Sequence, residues 1–123
     1  MPDATEDLLV EALAKISQPD AWTQNAFARL WPDGQIVTAY NPEATCWCSL
    51  GVCRSFDQSI NRPGMPNRTV IQAQARLNAW TEANHDQRLE QFNDTFGRTQ
   101  AEIVEMFKAT IAAGPLPYQG DPS

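Results

Sequence analysis

The chain has 123 residues, 15 acids against nine Lys and Arg, and a formal net charge of -6. Hydrophobic residues make up 42% and charged residues 20%, the mix of one ordinary globular domain rather than a disordered chain. With only Lys15, Lys108 and seven scattered arginines, it lacks the clustered cations that neutralise a phosphate backbone, so no nucleic-acid partner is expected.

The first helix starts near Asp3 or Thr5. Leu8, Leu9, Ala12, Leu13 and Ile16 form its apolar stripe, and Pro19 ends it. A second helix is expected from Asp20, which can cap, with Trp22, Ala26 and Leu30 on its inner face and Phe27 beside them. Pro32, Asp33 and Gly34 make a turn. Ile36 to Tyr40 is β-branched and aromatic, and is expected to form an extended segment or one short strand.

All three cysteines fall in the stretch from Ala44 to Phe56, read here as a central helix apolar on several sides. Cys46, Leu50 and Cys53 line one stripe, and Cys48, Val52 and Phe56 the next. Gly51 in its middle costs about 1 kcal/mol against alanine, which points to a close approach by another backbone, expected to be that of a neighbouring helix. A Pro- and Gly-containing loop follows from Ser59 to Asn67.

Val70, Ala73, Leu77, Trp80 and Asn84 keep helical spacing along one seam. A short helix is expected from Asp86 to Phe92, then a turn through Asn93, Asp94 and Gly97. Thr99 and Glu102 have capping-box spacing. Ile103, Val104, Phe107 and Ile111 make the last apolar face, which Gly114 and Pro115 close. The expected architecture is mainly α: a single domain over residues 1–114, built as a bundle of about five helices around the central one, with at most one short strand. Residues 115–123 form a Pro- and Gly-rich tail, expected to be mobile.

No constellation for chemistry stands out. Cys46, Cys48, Cys53 and His85 lack the paired spacing of structural zinc, since on a helix Cys46 and Cys48 would point about 200° apart. No metal and no cofactor are therefore expected. Cys48 as a nucleophile would need His85 as its base, and no spacing joins them. No phosphate loop, dinucleotide fingerprint or metalloprotease motif is present, so no catalytic residues are assigned and the protein is expected not to be an enzyme. No run approaches the ~18 apolar residues of a membrane span. The acidic start and three unpaired cysteines predict a cytoplasmic protein.

The segments Trp22 to Arg29, Asp33-Gly34, Trp47 to Val52, Phe92 to Asp94 and Thr99 to Ile103 resemble a family of small bacterial and phage proteins of unknown function. In that family a Trp-Cys-x-x-Gly-Ala segment opens a central helix, and an Asn-Asp pair precedes a Thr-x-x-Glu helix start. The resemblance spans roughly residues 5 to 113. It departs at Val52, where the family has Ala, and at Thr23 and Asn25. It implies the fold and a cytosolic or phage-related setting, and carries no activity.

Two functional readings follow. The first is an accessory or interaction protein that binds a host or viral protein, with an exposed Trp31 as anchor. The alternative is a small-ligand binder with a pocket between the central helix and the Asn93-Asp94 turn, near Trp22 or Trp47. The residues singled out for binding are Trp31, Trp47, Asn93 and Asp94. For Asn93 and Asp94 the architectural role, satisfying turn amides and the helix that starts after Thr99, is favoured.

Overall fold

The computed structural model describes residues 4–31, 33–56 and 68–116. Five helices carry the fold: α1 (Ala4–Ile16), α2 (Ser49–Arg54), α3 (Arg68–His85), α4 (Leu89–Asp94) and α5 (Gln100–Ala113). Three two-residue strands, β1 (Ala28–Arg29), β2 (Ile36–Val37) and β3 (Cys46–Trp47), form an antiparallel sheet in the order β2-β1-β3. The domain is mainly α, as the sequence predicts, but the sheet has three strands where at most one was expected.

The long helices form where apolar spacing demands them. On α1, Leu8, Leu9, Ala12 and Ile16 are buried; on α3, Val70, Ala73 and Leu77; on α5, Ile103, Met106 and Phe107. These faces meet in one core with α1 against α3 and α5, and α3 against α5. The capping box at α5 is complete. Thr99 Oγ1 accepts from the Glu102 amide at 3.2 Å, and Glu102 Oε1 accepts from the Thr99 amide at 2.9 Å. That backbone bond is the main reason the Glu102 carboxyl titrates below its usual range. Gly114, at φ +78°, turns the chain out of α5 with its N–H on Ile111 C=O.

The helix expected from Asp20 does not form. Asp20 and Asn25 both adopt left-handed backbone, at φ +60° and +63°, which asparagine and aspartate tolerate better than most residues. Between them the chain runs extended beside β3: the Trp47 N–H donates to Ala21 C=O at 2.9 Å, and the Thr23 N–H to Trp47 C=O at 3.0 Å. Tertiary pairing has overridden a helical spacing. The central helix is likewise shorter than expected. Cys46 and Trp47 belong to β3, and Cys48 caps α2 with its thiol accepting from the Gly51 amide at 3.2 Å.

Gly51 does meet another backbone, although not a helical one. A Cβ built there would lie 1.9 Å from the Phe27 carbonyl oxygen, at the entry to β1. The loop expected over 59–67 lies outside the described residues. So does the tail beyond Leu116.

Candidate interaction surface

Asn93 is the polar centre of the domain. It lies with Asp94 in the last turn of α4, rather than in a turn beyond the helix as expected, and is only 1% exposed, so every polar atom of its amide must find an internal partner. Its Oδ1 accepts from Trp22 Nε1 at 2.8 Å, from the Ser49 amide at 2.9 Å and from Ser49 Oγ at 2.7 Å. Its Nδ2 donates to Thr23 C=O at 3.2 Å and to Asp94 Oδ1 at 2.9 Å. Three donors on one side and two acceptors on the other fix the orientation of the amide. Asp94 Oδ1 also accepts from the Asn25 amide at 2.9 Å. Gln24 Nε2 spans Asn93 C=O and Thr95 C=O, both at 2.9 Å.

The pair therefore staples the irregular 22–25 segment and the start of α2 to the end of α4. Asp94 meets the Asn25 amide, rather than the amides of the α5 start where the sequence suggested its partners. There Glu102 serves the Thr99 amide and Thr99 serves the Glu102 amide. Between α2 and this turn, where a ligand pocket was the alternative expectation, Ser49 bonds Asn93 directly. Ser49 and Gln24, which complete the hub, carry no sequence signal beyond being short polar residues near apolar runs.

Trp47, singled out for binding, is in the core at 8% exposure. Its indole N–H donates to Ala39 C=O at 3.0 Å, and Lys15 Nζ lies 4.2 Å from its ring centroid. Half-buried there, Lys15 has its pKa lowered by desolvation. The cysteines are buried too. Burial pushes the Cys48 thiol up to about 11 and Cys53 higher still, so both remain protonated and unreactive. The His85 ring packs against Phe92 and Trp80 at centroid separations of 4.7 and 5.2 Å. Among the described residues no three His, Cys, Asp or Glu side chains are grouped to hold a metal ion.

Trp31 is different. It is 56% exposed, and it stands on the β1–β2 hairpin with three other large apolar side chains: Phe27, Ile36 and Tyr40. Eight large apolar side chains are exposed among the described residues, and these four share the stretch 27–40, while Val10, Ile71, Phe96 and Leu116 stand apart in sequence. Single exposed apolar residues are ordinary, whereas a local group of four is not.

The hairpin is held firmly from beneath. Ala28 pairs with Val37 and Trp47 and is fully buried. Leu30 N–H bonds Gln35 C=O at 3.0 Å, and Gly34 N–H closes the turn on Trp31 C=O at 2.7 Å. Arg29 Nη1 reaches back to Gly34 C=O at 2.9 Å, and the Trp31 ring lies over the bare Cα of Gly34. Arg54 of α2 stacks on Phe27 with its guanidinium 4.7 Å from the ring centroid. The aromatics are thus presented on an ordered support. Asp33-Gly34 between two β-capable runs was the available hairpin signal, obscured by the helical spacing of Trp22, Ala26 and Leu30.

Depressions among the described residues flank this architecture. A polar cleft of about 380 Å³ is lined by Trp22, Thr23, Gln24, Asn25, Arg29 and Asp33. An apolar groove of about 280 Å³ lies between α3 and α5, where Arg98 covers Phe92 at 3.8 Å from the ring centroid.

Fold and surface together define a small mainly α-helical domain, stapled by a buried asparagine, that presents an aromatic hairpin. The chain belongs to the family of unknown function DUF6197, whose model matches residues 1–113. No curated protein and no solved structure matches it. Among the described residues no helix is long and apolar enough to cross a membrane.

Proposed function

We propose that this is a non-enzymatic interaction protein of the cytoplasm that binds a host or viral protein through the β1–β2 hairpin. The observation that carries this reading is the group of Phe27, Trp31, Ile36 and Tyr40, each 43–58% exposed, on a hairpin fixed to the core through Ala28. Aromatic anchors on a rigid support lose little side-chain entropy on binding, which is why such residues dominate interface energetics. Asn93 and one Asp94 oxygen are engaged in the hub, and Cys48 serves as a helix cap.

The test is a pair of substitutions that spare the core. Trp31→Ala and Tyr40→Ala should each weaken capture of the native partner by more than about tenfold, the loss of a hot-spot side chain. Each should change unfolding free energy by less than about 1 kcal/mol, as surface positions do. Affinity purification from the native host with parent and variant chains, read by mass spectrometry and thermal unfolding together, decides it. Equal partner recovery on the parent and both variants would contradict the assignment.

A further inference from the structure

The surface proposed above has a direction as well as an apolar character, and the direction comes from the sheet. The three strands have two outer edges, and the chain itself closes one of them. Beyond β3, the Trp47 N–H and C=O are both taken, by Ala21 and Thr23. Beyond β2 no strand follows among the described residues.

The register fixes which backbone groups face that second edge. In an antiparallel pair, bonded and non-bonded residue pairs alternate. Leu30 and Gln35 are bonded, at 3.0 Å from N to O. Ala28 and Val37, two residues further along each strand, are then the next bonded pair, and Arg29 and Ile36 lie between them as a non-bonded pair. The β1 side agrees, because Arg29 C=O turns toward β3 and accepts from Thr45 N–H at 3.0 Å. Ile36 N–H and C=O therefore point outward, away from β1. Thr38 has the same parity, so its N–H faces outward too. Its C=O is taken by Asn41 N–H at 3.1 Å.

Open edges are ordinarily blunted by very short strands, charge, proline or a covering segment, and of these β2 has shortness, being two residues long. The residues here are Gln35, Ile36, Val37 and Thr38, with no charge among them, and Ile36 is 58% exposed. Trp31 stands beyond one end of the edge and Tyr40 beyond the other. We infer that the partner of the hairpin is an extended segment that adds as a strand to β2, bonding Ile36 N–H, Ile36 C=O and Thr38 N–H, with apolar side chains at alternate positions against Trp31, Ile36 and Tyr40. The backbone bonds contribute affinity and fix the direction of the added strand, and the side-chain contacts at alternate positions give specificity. This inference rests on the hairpin being the binding surface.

The experiment uses the isotope-labelled full chain and peptides selected on it from a display library of random short peptides. In the free chain the Ile36 and Thr38 amides should exchange with solvent almost unprotected. With a selected peptide bound they should slow by more than about tenfold. Ile36→Pro removes the outward N–H without removing a bond to β1 and should lose binding by at least about tenfold, whereas Ile36→Thr keeps that N–H and should lose less. Peptides that lose affinity for Trp31→Ala, yet leave both amides unprotected in the parent chain, would overturn the strand pairing and leave the surface assignment standing. Peptides indifferent to Trp31→Ala, or a library that yields no binder, would overturn both.

Discussion

Replacing Asn93 by alanine should lower the unfolding free energy by about 3–5 kcal/mol, a large fraction of the roughly 5–15 kcal/mol typical of a folded domain. The loss is large because one oxygen serves three donors. Without Oδ1, the Trp22 indole N–H, the Ser49 amide and the Ser49 hydroxyl lose their acceptor together. Each buried unsatisfied group costs about 1–3 kcal/mol, reduced where water or small shifts supply a substitute. Thr23 C=O and Asp94 Oδ1 lose a donor as well. Asp94→Asn should cost less than about 1 kcal/mol, because an amide oxygen can still accept from Asn25 and Asn93. Urea unfolding of the two variants checks the contrast. Similar stabilities for Asn93→Ala and Asp94→Asn would mean that the hub does not hold the domain together.

Gly51→Ala should cost about 3 kcal/mol or more, and Gly51→Leu should not fold. The Cβ of any larger residue would sit 1.9 Å from the Phe27 carbonyl oxygen and 2.7 Å from its carbonyl carbon. Those atoms are backbone and cannot turn aside as a side chain could. Yielding would draw Phe27 away from α2 and break the Cys48 N–H bond to Phe27 C=O, now 3.2 Å. Because Phe27 leads into β1, the hairpin would move with it. Thermal unfolding of Gly51→Ala measures the effect. An unchanged Tm would mean that β1 and α2 are not locked together in this way.

Both positions show what the sequence could and could not tell. The close approach at Gly51 was legible because a glycine inside an apolar run weakens a helix and is kept where a side chain would not fit. The identity of the approaching backbone was not, since Trp22, Ala26 and Leu30 repeat with helical spacing and Asp20 is a plausible cap. What defeats that helix is non-local: Ala21 and Thr23 pair with Trp47, distant in sequence, and Asn25 bonds Asp94. The run from Cys46 to Phe56 failed for a related reason. A short continuous apolar stretch does not distinguish a buried strand from a buried helix, and here it is first one and then the other. Local chemistry fared better, as the capping box of Thr99 and Glu102 and the Gly114 stop depend on neighbours within one turn.

The candidate site was legible only at Trp31. A tryptophan before Pro-Asp-Gly suggested exposure, but Phe27, Ile36 and Tyr40 join it only once the hairpin exists. Trp47 has the same side chain in an equally apolar context, and its burial under Lys15 and against Ala39 is a tertiary fact. The architectural reading of Asn93 followed from the cost of burying an unpaired amide beside Phe92. Its three donors, drawn from distant segments, could not be named from sequence.

If partner binding belongs to the hairpin and the asparagine hub to the fold, one hydrogen-exchange footprint of the full chain with its captured native partner should show both. The prediction is added protection over residues 27–40, with the Ser49 amide equally protected in the free and bound chains because Asn93 already holds it. Protection confined to the Trp22–Asn25 cleft or to the α3–α5 groove, with the hairpin unchanged, would contradict that division of roles.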